Sequence, residues 1–112
     1  MIIKFKNKFI KIKNIQEARG FNIFRGLMFR RKNKSPVFLF NSKSSLHSFF
    51  VFFPFLVLWL DKKNNVADFK IVYPFLPYIN TKKEYKRILE IPISKKNYNL
   101  VKIIVEERFK KK

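Results

Sequence analysis

The feature that most constrains the fold is the apolar run over residues 49–60, which is interrupted only by Pro54. Both of its alternate residue sets are apolar, a pattern typical of a strand that is covered on both faces. As a helix the run would span about 18 Å, whereas the lipid core is roughly 30 Å thick. We therefore predict a doubly buried β segment at the centre of a domain rather than a membrane span. Because proline lacks a backbone donor, we expect the run to bend or leave the ladder at Pro54.

The residues around this run predict further strands. Near the start of the chain, lysines alternate with Ile3, Phe5 and Phe9, and the polar phase then moves to Lys11 and Lys13. This alternation predicts a β-hairpin with its turn near Asn7. Further strands are predicted at residues 36–40, 66–72, 85–91 and 100–106, and a polar turn rich in Asp and Asn is predicted at residues 61–65.

One segment has helical rather than strand spacing. Ala18, Phe21, Phe24 and Leu27 recur at the interval of one helix face, and Gly26 stands where a C-terminal cap is expected. We predict a short helix over residues 16–25. The fold class is accordingly mainly β, with one compact barrel-like or sandwich-like domain at residues 1–107 and a basic, frayed tail at residues 108–112.

Composition limits the cellular setting and the chemistry. The chain has no Cys, so it has neither a disulfide framework nor a thiolate metal site. Its first thirteen residues interleave lysine with Ile and Phe, whereas a secretory signal needs an uninterrupted apolar core. We expect a cytoplasmic protein without a transmembrane segment, and we assign it no cofactor.

Charge points toward anionic partners. The net charge of +19 predicts affinity for polyanions such as nucleic acid or an acidic membrane surface. A second explanation stays open, because Lys, Asn, Ile and Phe have codons rich in A and T. A biased genome would then enrich lysine without selection for binding.

Several segments together resemble domain of unknown function family 192, especially its archaeal-type members. The similarity rests on the following stretches, in order: Arg25-Gly26-Leu27-Met28-Phe29-Arg30, Val37-Phe38-Leu39-Phe40, His47-Ser48-Phe49-Phe50-Val51-Phe52-Phe53-Pro54, Trp59-Leu60-Asp61, Tyr73-Pro74-Phe75 and Ile88-Leu89-Glu90-Ile91-Pro92. It covers about residues 2–106. The resemblance implies a mostly β domain whose short helix carries the Arg-Gly-Leu-Met stretch, and it implies no activity. This chain departs from the family where Leu56 replaces an expected Asp, and where Leu100-Val101 replace an expected Gly-Asp pair.

Few side chains suit catalysis. The seven acidic residues form no motif for paired acid–base work, and there is one His. We therefore favour a protein that is not an enzyme. His47 stands at the entrance to the apolar run, at a family motif position, and is either a ligand contact or a structural His bonded to a carbonyl. Arg25 and Arg30 suit a carboxylate or phosphate ligand, although capping of carbonyls or pairing with Glu90 explains them equally.

These residues support two functional hypotheses. The first is a non-catalytic ligand- or partner-binding module whose site is formed by Arg25, Arg30 and His47, with a small anion as one candidate ligand. The alternative is a basic nucleic-acid-binding accessory protein that contacts phosphates through a loop patch containing Arg30, Arg31, Lys32 and Lys34. Self-association through an exposed aromatic edge is a third option, and the sequence leaves the oligomeric state open.

Overall fold

The structure, a computed structural model, describes residues 1–18, 27, 31, 35–41, 51–75 and 79–110, and of residues 107–110 it describes the backbone alone. The strands are β1 Ile2–Phe5, β2 Lys8–Lys11, β3 Ile15–Glu17, β4 Val37–Phe40, β5 Phe55–Leu60, β6 Val66–Val72 and β7 Arg87–Pro92. A 3-10 turn at Lys95–Asn97 leads directly into helix α1, Tyr98–Lys110.

The strands form two sheets. β1 and β2 make an antiparallel hairpin, and the other strands make a five-stranded sheet in the order β3-β4-β7-β5-β6. β3 pairs with β4 in parallel, and the remaining neighbours are antiparallel. This sheet is open among the described strands, so the barrel-like alternative does not apply and a sandwich-like arrangement describes the fold. The radius of gyration is 13.1 Å, close to the roughly 13 Å of a compact domain of this size.

The second half of the apolar run forms the interior strand β5. Every residue of β5 is buried, as the two apolar sets predict, and the strand begins immediately after Pro54. Residues 51–54 have no strand structure, although Val51 and Phe53 are buried. β5 lies between β7 and the edge strand β6, so β7 rather than β5 occupies the middle of the sheet.

Two turns agree with the sequence. In the β1–β2 hairpin, Lys6 and Asn7 both have positive φ, as in a type I′ turn. In the β5–β6 hairpin, Asp61 Oδ1 accepts the backbone N–H groups of Lys63 and Asn65 at 2.8 and 2.9 Å. Although desolvation raises the pKa of Asp61, hydrogen bonds from Asn65 and Lys63 and the charge of Lys63 outweigh it, so this pKa lies below its ordinary value.

Both faces of the five-stranded sheet are covered. The face that we call the helix face carries Leu56, Leu58 and Leu60 and packs against the hairpin and α1, through residues such as Ile3 and Ile104. The opposite face, the loop face, carries Phe55, Val57 and Trp59 and packs against residues outside the strands, including Val51, Phe53 and Ile79. Leu56, the residue that stands where the resemblance predicts an Asp, is fully buried.

The strand predicted at residues 100–106 is wrong, because this segment lies within α1. Val101 and Ile104 are buried, Leu100 and Val105 pack against the same core, and Lys102, Ile103 and Glu106 face outward. This is the spacing of one helix face, and burial of that face outweighs the β preference of Val and Ile. Lys102 and Glu106 form an i, i+4 ion pair at 3.8 Å.

The predicted helix at residues 16–25 is only partly within the described region. Its first two residues, Gln16 and Glu17, belong to strand β3, and residues 19–26 lie outside the described residues. α1 continues to Lys110, so helical backbone extends into the segment predicted to be a frayed tail. None of the helices in the described ranges has the length and apolar character needed to cross a bilayer.

Candidate functional site

The residues predicted to form a ligand site lie outside the part of the chain that the structure describes. Arg25, Arg30 and His47 lie outside the described residues, and so do Lys32 and Lys34 of the loop patch. Arg31 is described: it is exposed, and its carbonyl oxygen accepts the hydroxyl of buried Ser35 at 2.6 Å. Convergence of Arg25, Arg30 and His47 on one cavity therefore stays a prediction.

A basic surface is formed instead by the β1–β2 hairpin. Ile3, Phe5 and Ile10 point into the core, so the alternate residues point outward. The outward set pairs across the strands as Lys4 with Phe9 and Ile2 with Lys11. We call these four residues, Ile2, Lys4, Phe9 and Lys11, the basic ribbon.

Phe9 is the unusual member of the basic ribbon. Its side chain is 74% exposed, and that of Ile2 is 55% exposed. The Lys4 Nζ atom lies 5.7 Å from the centroid of the Phe9 ring, within the range of a cation–π contact. Exposed aromatic rings on a basic surface are the sites on which nucleic-acid bases stack in single-strand binders.

Two depressions adjoin the ribbon on either side of residues 11–14. One, of about 390 Å³, lies between this segment and the start of α1; we call it the helix groove, and its rim carries Lys11, Lys13 and Lys96. The other, of about 680 Å³, is lined by Lys11 and Lys13 together with Arg87. No Asp or Glu is among the described residues that line either depression, so every charged side chain in the two linings is cationic.

Glu90 is the most perturbed ionisable group in the described part of the chain. It lies on the loop face of β7, between Phe38 of β4 and Val57 of β5. Its side chain is 4% exposed, and Oε1 has no hydrogen-bond partner among the described residues. Burial away from water raises the pKa of Glu90 to about 8, so the carboxyl is mostly protonated at neutral pH.

The described residues offer little for catalysis. Within these ranges no group of three or more His, Cys, Asp or Glu side chains is arranged to hold a metal ion. Glu90 lines neither of the depressions that flank residues 11–14. Its position therefore bears on stability more directly than on chemistry at the basic surface.

A second group of exposed aromatics lies elsewhere on the surface. Phe52, Tyr73 and Phe75 are each more than half exposed, and the rings of Phe52 and Phe75 meet edge to face with their centroids 5.8 Å apart. This aromatic cluster is the described feature that best fits the sequence-based option of association through aromatic side chains.

Comparison with known proteins found no matching family model, no matching curated protein and no matching solved structure. The resemblance to domain of unknown function family 192 therefore stays a prediction, and the function has to be argued from the geometry of this chain.

The basic ribbon was missed at the level of sequence, although a signal for it was present. The alternation grouped Phe9 with the inward residues Ile3 and Phe5, but Phe9 and Ile10 are adjacent and a strand points them to opposite faces. Ile10 is buried and Phe9 therefore faces outward. Lys96 carried no local signal, because only the packing of α1 beside residues 11–14 brings it to the groove.

Proposed function

We propose that this protein is a non-catalytic module that binds nucleic acid through the basic ribbon. The observation that carries the proposal is the exposure of Phe9 beside Lys4 on a chain of net charge +19. Lysines neutralise phosphates and release counterions, which supplies affinity without sequence preference. An exposed aromatic ring adds stacking with bases. The proposal includes the cytoplasmic location expected from the composition.

The binding is tested by fluorescence anisotropy with a labelled oligonucleotide over a range of salt concentrations. Tight binding at about 50 mM salt should weaken linearly on a log–log plot toward about 200 mM. Lys4→Ala/Lys11→Ala should reduce the steepness of this plot by roughly 1 to 2 units, because two phosphate contacts are lost.

A matched charge control is available. Lys82 and Lys83 are exposed and line neither depression beside residues 11–14, so Lys82→Ala/Lys83→Ala removes the same charge elsewhere. It should leave the slope nearly unchanged. Equal losses in the two double variants would mean that total charge, rather than the basic ribbon, determines binding, and no binding at low salt would refute the proposal.

A further inference from the structure

The helix groove has the chemistry of a site for a flat, partly apolar and anionic ligand. Val37 and Leu100 contribute apolar surface to it, and Ile103, 39% exposed, forms part of its lining. Its volume of about 390 Å³ is within the roughly 300–1,000 Å³ of pockets that hold small organic groups.

The polar lining of the groove matches a base with flanking phosphates. Lys11, Lys13 and Lys96 supply positive charge, and no carboxylate lines the groove to oppose an anion. Asn14, Asn97 and Asn99 also line it, and amide side chains offer both donors and acceptors, as the edges of bases require. Asn97 Nδ2 donates to the carbonyl of Pro92 at 2.9 Å, which leaves its Oδ1 to accept.

We propose that the helix groove receives one unpaired base of a single-stranded nucleic acid. This inference rests on the proposed function and deepens it, because Lys11 belongs both to the basic ribbon and to the rim of the groove. A strand that stacks on Phe9 thus continues past Lys11, with its phosphates on the lysines and the next accessible base in the groove. A base within a duplex is paired and stacked, so it does not enter.

The experiment compares a labelled oligothymidylate with a duplex of equal length, using the wild type, Ile103→Glu and Asn80→Glu. Ile103 is exposed on α1, and Asn80 is exposed and lines neither depression beside residues 11–14, so both variants add one negative charge without disturbing the core. Circular dichroism melting verifies that each variant is folded. The wild type should prefer the single strand by about tenfold, as expected for stacking of one base.

Ile103→Glu should lose about tenfold in single-strand affinity, because the carboxylate occupies the base site and repels phosphate. Asn80→Glu should stay within about twofold of the wild type, because surface charge away from the contact acts weakly through salt. The affinity for duplex should change by the same small factor in both variants.

The possible failures are distinguishable. If the wild type binds neither nucleic acid at low salt, the proposed function and this inference both fall. If Ile103→Glu behaves as Asn80→Glu does, the groove assignment is overturned while nucleic-acid binding stands, whatever preference for single strand the stacking on Phe9 gives. If polyglutamate displaces the oligothymidylate at equal charge concentration, the groove recognises acidic chains in general and the base assignment is overturned.

Discussion

At the scale of single residues, Glu90 is the clearest conflict between a side chain and its surroundings. It occupies a sheet position whose cross-strand neighbours, Phe38 and Val57, are apolar, and a charged carboxylate there would lose its hydration. The protonated form avoids most of that cost, which is why the pKa is raised to about 8. The fold therefore binds a proton at Glu90 that the unfolded chain releases near pH 4.5.

Glu90 should make stability depend on pH. Between about pH 5 and pH 8 the folded protein holds the proton and the unfolded chain does not, so the free energy of unfolding should fall by up to about 1.4 kcal/mol per pH unit as pH rises. Glu90→Gln removes this titration and should flatten the profile. Urea denaturation at several pH values measures both slopes.

The control for this titration is Glu106→Gln, which changes an exposed carboxyl on α1 and should keep the wild-type slope. Asp61 acts in the opposite direction, because the pKa of its carboxyl is lowered by folding. Its contribution to the free energy of unfolding is present above about pH 4 and is lost only in more acidic solution. If the free energy of unfolding varied with pH in the same way in wild type and Glu90→Gln, Glu90 would not be the group that titrates.

At the scale of elements, the helix face of the sheet depends on α1. Val101 and Ile104 insert into the same core as Leu58 and Ile91, whereas Ile103 lies in the wall of the groove. The position of α1 thus determines both how the sheet is covered and where Lys96 stands. A strand over residues 100–106 would group Val101 with Ile103 rather than with Ile104.

Substitutions of Ile103 and Ile104 distinguish a helix from a strand over residues 100–106. Ile104 is fully buried, so Ile104→Ala should cost about 2–5 kcal/mol of unfolding free energy. Ile103 is partly exposed, and Ile103→Ala should cost less than about 1 kcal/mol. Urea denaturation gives both values, and a larger loss at Ile103 than at Ile104 would refute the packing of α1.

Strand β5, the strands that flank it and both hairpin turns were predictable from sequence, because local patterns specify them. Two apolar residue sets indicated burial on both faces of β5, and Asp61 and Asn7 marked turns. Helix α1 was not predicted, since its β-branched residues favour a strand and only tertiary burial selects the helix. The partners of β7 were not predictable either, because strand order is set by long-range pairing.

At the scale of the whole molecule, the positive charge is partly organised. Lys11 and Lys13 line both depressions beside residues 11–14, and Lys96 of the 3-10 turn lines the helix groove. No carboxylate is among the described residues that line either one. Charge sign was predictable from composition, whereas this clustering depends on how the hairpin and α1 pack on one sheet face. Phe9, 74% exposed, lies beside Lys4 at the hairpin end of this surface.

The most direct test of nucleic-acid binding by the basic ribbon is a titration of the ¹⁵N-labelled protein with an oligothymidylate, followed by NMR. The largest amide shifts should map to Ile2, Lys4, Phe9 and Lys11, and should continue along the groove to Lys96. A contrary result would be shifts that centre on Phe52, Tyr73 and Phe75, or small shifts spread over every exposed lysine.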